Sequence, residues 1–243
     1  MQKTILFSSD EYQLHGTLHL PATENPPVVI GSHGLLSTGD SPKQIVLAER
    51  CTENDMAYFR YDHRGCGKSN GEFSSATTFD GRCRDLIAAV QTIRDLSETG
   101  NEIALFGSSF GGAISLALAG VLNITSIVTV AAPLFSGNIK EPYVNDPANN
   151  SVMQKLNKDT LFFDIRNRIP AISHLLIFHG DADKIVPFEN ALELNKTAKD
   201  PKMLICQKNG DHPMSNEIHQ KEFTDLTVAW FEKYFQKSFP SKI

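Results

Sequence analysis

Cysteine is scarce, and the four present, Cys51, Cys66, Cys83 and Cys206, lie far apart with no C-x-x-C pair. Their spacing excludes a zinc knuckle and a dense disulfide framework, and it predicts four reduced, mostly buried thiols. Long apolar runs are missing as well. No stretch approaches the length of a bilayer span, and the N-terminal run Ile5-Leu6-Phe7 is too short for a secretory core. The expectation is a cytoplasmic protein without a membrane partner. A broad basic field is also absent. The 23 Lys and Arg against 28 Asp and Glu give a formal charge of −5, and the basic residues are scattered. Neutralising a nucleic-acid backbone takes clustered cations, so nucleic acid is not an expected partner. His15, His19, His63, His174 and His219 fall at no metal-ligand spacing, and no metal or cofactor is expected.

What is present is apolar material, 41% of 243 residues, enough for one substantial core and a single domain over 1–243. Two alternating stretches, 5–7 and 14–20, flank the polar Ser8-Ser9-Asp10-Glu11 and predict an antiparallel hairpin. Short apolar runs then recur at 28–30, 57–59, 103–106, 127–130, 175–178 and 203–206. Between them, 44–54, 79–96, 110–121, 188–197 and 217–235 carry apolar residues at helical spacing. Strands that alternate with helices of this length pair in parallel, because each crossover must travel back along the sheet. The prediction is an α/β fold with a mostly parallel, doubly wound sheet. Only 134–173 breaks the rhythm, with Pro142, Pro147, Asn149-Asn150 and a helix-like segment holding Met153, Leu156, Leu161, Phe162 and Phe163. A stretch this long without a clear strand reads as a small cap insertion over the strand ends.

The sharpest local signal is Gly107-Ser108-Ser109-Phe110-Gly111-Gly112, between an apolar run and an Ala- and Leu-rich helical stretch. It matches G-x-S-x-G, a turn from strand to helix so tight that only glycine lets neighbouring backbone pass close by. Chance alone would give that pattern in roughly one chain in twelve of this length, so the strand-to-helix setting carries the weight. A serine hydroxyl needs a base to take its proton and a third group to orient the base. Both are available downstream. His179-Gly180-Asp181-Ala182-Asp183 follows the run at 175–178, and Asn209-Gly210-Asp211-His212-Pro213 follows the run at 203–206. Carboxylate and imidazole would thus lie at the C-terminal strand ends, where open α/β sheets place ligands. The residues themselves leave Asp181 and Asp183 as alternatives for the acid. His33-Gly34-Leu35-Leu36 follows 28–30; Gly34 there would let backbone amides turn toward a developing oxyanion, with Leu35 and Phe110 as the donors. His33 and His179 read as loop-holding groups. Asp62 and Arg64 read as a salt link or turn residues, with substrate contact as the alternative. Phe135, Tyr143, Phe162 and Phe163 either line an acyl pocket or pack on one another.

Together, His33-Gly34, Arg60-Tyr61-Asp62-His63-Arg64-Gly65-Cys66-Gly67-Lys68-Ser69, the elbow at 107–112, His179-Gly180-x-x-Asp183-x-x-Val186-Pro187 and Gly210-x-His212 resemble the α/β-hydrolase superfamily. Tyr61-Asp62-His63-Arg64-Gly65 running into Ser69-Asn70-Gly71-Glu72-Phe73, with a short cap, is similar to the small esterases that include the feruloyl and cinnamoyl esterases. The resemblance implies the chain order Ser, Asp, His and puts the acid at Asp183. It implies a serine esterase with Ser109, Asp183 and His212 as catalytic triad, acting on a small-molecule ester. A thioesterase or peptidase with the same triad is the alternative, and a non-catalytic binding protein of this fold is the alternative from another class.

Overall fold

The structure is a computed structural model that describes residues 1–140 and 155–236. Strands β1 (Gln2–Ser9) and β2 (Tyr12–His19) form the N-terminal hairpin, closed around Asp10 at positive φ. Both alternate between exposed and buried residues, as an edge hairpin with one covered face must. Six further strands follow: β3 (Val28–Ser32), β4 (Ala57–Tyr61), β5 (Ile103–Ser108), β6 (Ile127–Val130), β7 (Leu175–Gly180) and β8 (Lys202–Gln207). The eight strands form one sheet in the order β1-β2-β4-β3-β5-β6-β7-β8. Every pairing from β4 to β8 is parallel, and only the hairpin and its junction with β4 are antiparallel.

Among the described residues the helices are α1 (Pro42–Glu53), α2 (Phe73–Ala76), α3 (Phe79–Arg94), α4 (Phe110–Ala119), α5 (Glu189–Thr197) and α6 (Glu217–Gln236). They cover both faces and divide the apolar interior in two. Leu47, Ala48 and Cys51 of α1 pack with Phe223, Trp230 and Phe231 of α6 on one face. Leu86, Ala89 and Ile93 of α3, the buried face of α4, and Ala191 and Leu194 of α5 close the other. Central strands β3 and β7 are buried along their whole length in consequence, because neither of their faces meets water. No helix among the described residues is long and apolar enough to cross a membrane.

One expectation needs correction. The thiols are all free, but Cys206 is exposed and Cys83 only partly buried. Cys206 lies on β8, the edge strand, where one side of the sheet has no further neighbour. In the irregular region after β6, the described residues form short 3-10 turns at Ser136–Asn138, Lys158–Leu161 and Arg166–Ala171. Pro142, Tyr143, Pro147, Asn149, Asn150 and Met153 lie outside the described residues. Phe163 stacks on Phe79 at 4.5 Å and meets Phe110 edge-on, as part of the core. Phe162 is exposed and its ring touches Phe135.

Candidate active site

The strand order reverses direction around β3, whose neighbours are β4 and β5. That switch point is where the loops after β3 and β5 diverge and leave a crevice. Ser109 stands there, between β5 and α4, with φ 53° and ψ −120°. This is strained backbone for a residue with a side chain, worth about 1–3 kcal/mol, and it persists only where the surroundings over-determine it. The surroundings are tight: a Cβ on Gly107 would come within 2.6 Å of the Gly111 carbonyl oxygen, and one on Gly111 within 2.2 Å of that of Ser32. The Ser109 amide donates to the Val130 carbonyl at 2.7 Å. The hydroxyl is thereby held at the helix start.

Two loops bring the remaining partners. Those after β7 and β8 press together at Gly180 and Gly210, where an added Cβ on Gly180 would stand 2.1 Å from the Gly210 oxygen. His212 Nε2 lies 3.0 Å from Ser109 Oγ, and His212 Nδ1 lies 2.7 Å from Asp183 Oδ2. A carboxylate can only accept, so Nδ1 carries the proton and Nε2 offers its lone pair to the serine. Asp183 Oδ1 accepts the amides of Ile185 and Val186 at 2.8 and 2.9 Å. Burial opposes the charge on this carboxyl, yet hydrogen bonds from His179, His212 and Val186 hold it well below the usual carboxylate range. Asp181 is exposed and accepts the Asn209 amide at 2.5 Å, so it ties the two loops together and does not face His212. His179 Nε2 donates to the Val186 carbonyl at 2.9 Å and holds the turn that carries Asp183.

Leu35 and Phe110 both line the cavity that opens at Ser109, and neither amide has an acceptor among the described residues. Gly34 is not in the left-handed region; a Cβ there would stand 3.6 Å from that of Ser109. Its missing side chain therefore keeps space free beside the serine and is not needed for a special turn. The cavity holds about 1070 Å³ and reaches α1 and α6, with Leu35, Val46, Phe110, Leu161, Ile185 and Phe223 among its apolar walls. Phe135, Phe162 and Phe163 are not in its lining.

Three groups at the site were not singled out as functional from the sequence. Lys43, at the start of α1, donates to the Pro213 carbonyl at 2.7 Å and so ties the His212 loop to that helix. Nothing in the local sequence marks it. Arg82 and Asp85 are buried on α3, and here a signal existed. They stand in register with Leu86, Ala89 and Ile93 on the apolar stripe, where a charge needs a reason. Asp85 accepts from Arg64 Nε at 2.9 Å, the Arg64 amide at 3.0 Å and His63 Nδ1 at 3.2 Å. Asp62 accepts the amides of Gly39 and Lys68. Both Asp62 and Arg64 thus serve the loop's structure, and neither lines the cavity.

His63 is fully buried, and burial pushes its imidazole down to about 4 from an ordinary 6.5. Below the ordinary value the unfolded chain takes up this proton while the folded chain does not. Its contribution to stability is therefore complete above pH 6.5 and lost as pH falls to about 4, a change of about 3 kcal/mol. Urea unfolding at about pH 7 and about pH 4.5 checks this. Wild type is expected to lose roughly 2 kcal/mol more between the two than His63→Asn, which has no titrating ring; equal losses would remove His63 as the cause.

A family model described as serine aminopeptidase, S33 (Hydrolase_4) matches residues 23–160. The chain is 29% identical over 207 residues to the uncharacterised protein YfhR of Escherichia coli O157:H7, covering 79% of this chain and 65% of that protein. It is 26% identical over 219 residues to the mitochondrial palmitoyl-protein thioesterase ABHD10 of Mus musculus, covering 79% of this chain and 72% of that protein. The ferulic-acid-bound Est1E of Butyrivibrio proteoclasticus superposes with a TM-score of 0.78 at 19% identity, over 96% of this chain and 99% of that one. Matched by the model over more than half its length, and folded like the solved esterases, the chain belongs to the S33 serine aminopeptidase (Hydrolase_4) family of α/β-hydrolases.

Proposed function

We propose that this chain is a serine esterase acting on a small-molecule ester through an acyl-enzyme on Ser109. One observation carries the reading: the unbroken relay from Ser109 Oγ through His212 to Asp183, at 3.0 and 2.7 Å, at the floor of an apolar cavity. Ser109 attacks the acyl carbon while His212 Nε2 takes its proton, and Asp183 steadies the imidazolium that forms. The carbonyl electrons move onto oxygen, which accepts hydrogen bonds from the Leu35 and Phe110 amides. The tetrahedral adduct collapses, and His212 returns the proton to the leaving alcohol. Water then attacks the acyl-enzyme with His212 again as base, releasing the acid and restoring Ser109.

A thioester is the second acyl class, favoured by the relative named as a palmitoyl-protein thioesterase. The same attack expels a thiol in place of an alcohol. The test is hydrolysis of short p-nitrophenyl esters, an acyl thiocholine and an aminoacyl p-nitroanilide, alongside labelling by a fluorophosphonate. The expected result is ester turnover with labelling of Ser109. Preference for the thiocholine would move the reading to thioesterase, and preference for the anilide to peptidase. A wild-type protein that is neither active nor labelled would favour the non-catalytic alternative.

A further inference from the structure

Arg82 is fully buried, yet no carboxylate lies within ion-pair distance of it among the described residues. Asp85, one helical turn on, is occupied by Arg64 and His63. A buried cation without a counter-ion is costly to keep, and burial does push this guanidinium below its ordinary value. Its donors go elsewhere. Nη1 reaches the Gly34 carbonyl at 3.2 Å, and Nη2 reaches the Leu35 carbonyl at 2.9 Å and Cys66 Sγ at 3.1 Å, while Nε has no partner. The guanidinium carbon also stands 5.5 Å from the centre of the Phe110 ring. One side chain thus touches both Leu35 and Phe110, the two residues that line the cavity beside Ser109 and whose amides have no acceptor among the described residues.

The peptide plane converts those contacts into an orientation. In a trans peptide the carbonyl and the N–H of one unit point in opposite directions. Holding the Gly34 oxygen toward α3 therefore turns the Leu35 N–H away from α3, toward the crevice. The same oxygen has a second donor. His33 Nε2 accepts the His63 amide at 3.0 Å, so its proton sits on Nδ1 and is given to the Gly34 carbonyl at 2.8 Å. The Leu35 oxygen has only Arg82 among the described residues.

We propose that Arg82 is a positioning residue for the oxyanion site: its planar fork spans two successive carbonyls of the 34–35 loop, aims the Leu35 amide, and braces Phe110 from behind. It touches no substrate. Lysine cannot replace the fork, because an ammonium offers one point of attachment where the guanidinium offers two parallel ones. An aimed amide matters most when charge develops on the acyl oxygen, so the effect falls on kcat and spares KM.

Resting as it does on the esterase reading, the role is tested in Arg82→Met and Arg82→Lys beside wild type and Ser109→Ala. Melting temperature and circular dichroism report folding. The readouts are kcat, KM and the inhibition constant of a trifluoromethyl ketone. Ser109 Oγ adds to the ketone carbon, its proton passes to His212, and the former carbonyl oxygen becomes an oxyanion. In folded Arg82→Met, kcat is expected to fall on the order of 100-fold, the size of losing one oxyanion donor, with KM within about threefold. Arg82→Lys is expected to lose roughly tenfold in kcat, and ketone affinity should fall in step with kcat/KM in both. If the methionine variant does not fold, the lysine variant decides alone. Wild-type kcat and ketone affinity in a folded variant, or a loss confined to KM, overturns the role of Arg82 while leaving the esterase reading intact. A wild type without Ser109-dependent turnover overturns the reading and this role with it.

Discussion

Ser109→Ala is expected to hydrolyse a p-nitrophenyl ester on the order of 10⁴-fold or more slowly than wild type, and to lose all fluorophosphonate labelling. The size of the loss follows from the relay. His212 Nε2 has a single useful proton to take, from Ser109 Oγ at 3.0 Å, and the imidazole has no purpose in acylation once that oxygen is gone. Residual rate would come from the amides of Leu35 and Phe110 acting on water attack. KM should change little, because the cavity walls beside Ser109, among them Val46, Leu161 and Phe223, are untouched. The alanine is also expected to fold. It keeps the amide that donates to Val130, although positive φ remains strained for any residue with a Cβ. Retained turnover in a folded Ser109→Ala protein would remove Ser109 as nucleophile.

Asp183→Asn is expected to cost on the order of 10³–10⁴ in kcat, and Asp181→Asn less than about fivefold. The difference arises from which atoms each carboxylate serves. Asp183 Oδ1 accepts two backbone amides, Ile185 and Val186, so an asparagine there keeps its oxygen on them and turns its NH₂ toward His212. Nδ1 must then accept, the ring proton moves to Nε2, and the imidazole presents an N–H to Ser109 in place of a lone pair. The fold survives while the base is lost. Asp181 is exposed and bonds only the Asn209 amide, which an asparagine oxygen also satisfies. Steady-state kinetics on the two variants, with melting temperatures as a control, separates the outcomes. A large loss in Asp181→Asn with none in Asp183→Asn would reverse the assignment.

The elements were legible because their signals are local. A short apolar run such as 28–30 of β3, and a helix such as α3 with Leu86, Ala89 and Ile93 on one face, declare themselves through length and period. The elbow was legible for the same reason. Its glycines flank Ser109 within five residues, and the clashes that require them are with backbone one helical turn away or on the adjacent strand. Other features gave no such signal. The exposure of Cys206 depends on β8 having no outer neighbour, and the burial of Phe163 depends on Phe79 and Phe110 arriving from distant parts of the chain.

The sequence by itself determined the order of strands and helices, the strained serine turn, and the two loops that carry Asp183 and His212. Each is written in residues near one another along the chain, where sterics and hydrophobic period act directly. The tertiary structure brought Asp183, the aspartate that the resemblance implied, against His212, and it alone decided that Lys43 ties down the histidine loop and that a buried arginine on α3 grips the carbonyls of Gly34 and Leu35. Those pairings join residues tens of positions apart, and a hydrogen bond is set by distance and direction in space, quantities that exist only once the sheet has brought the strand ends together.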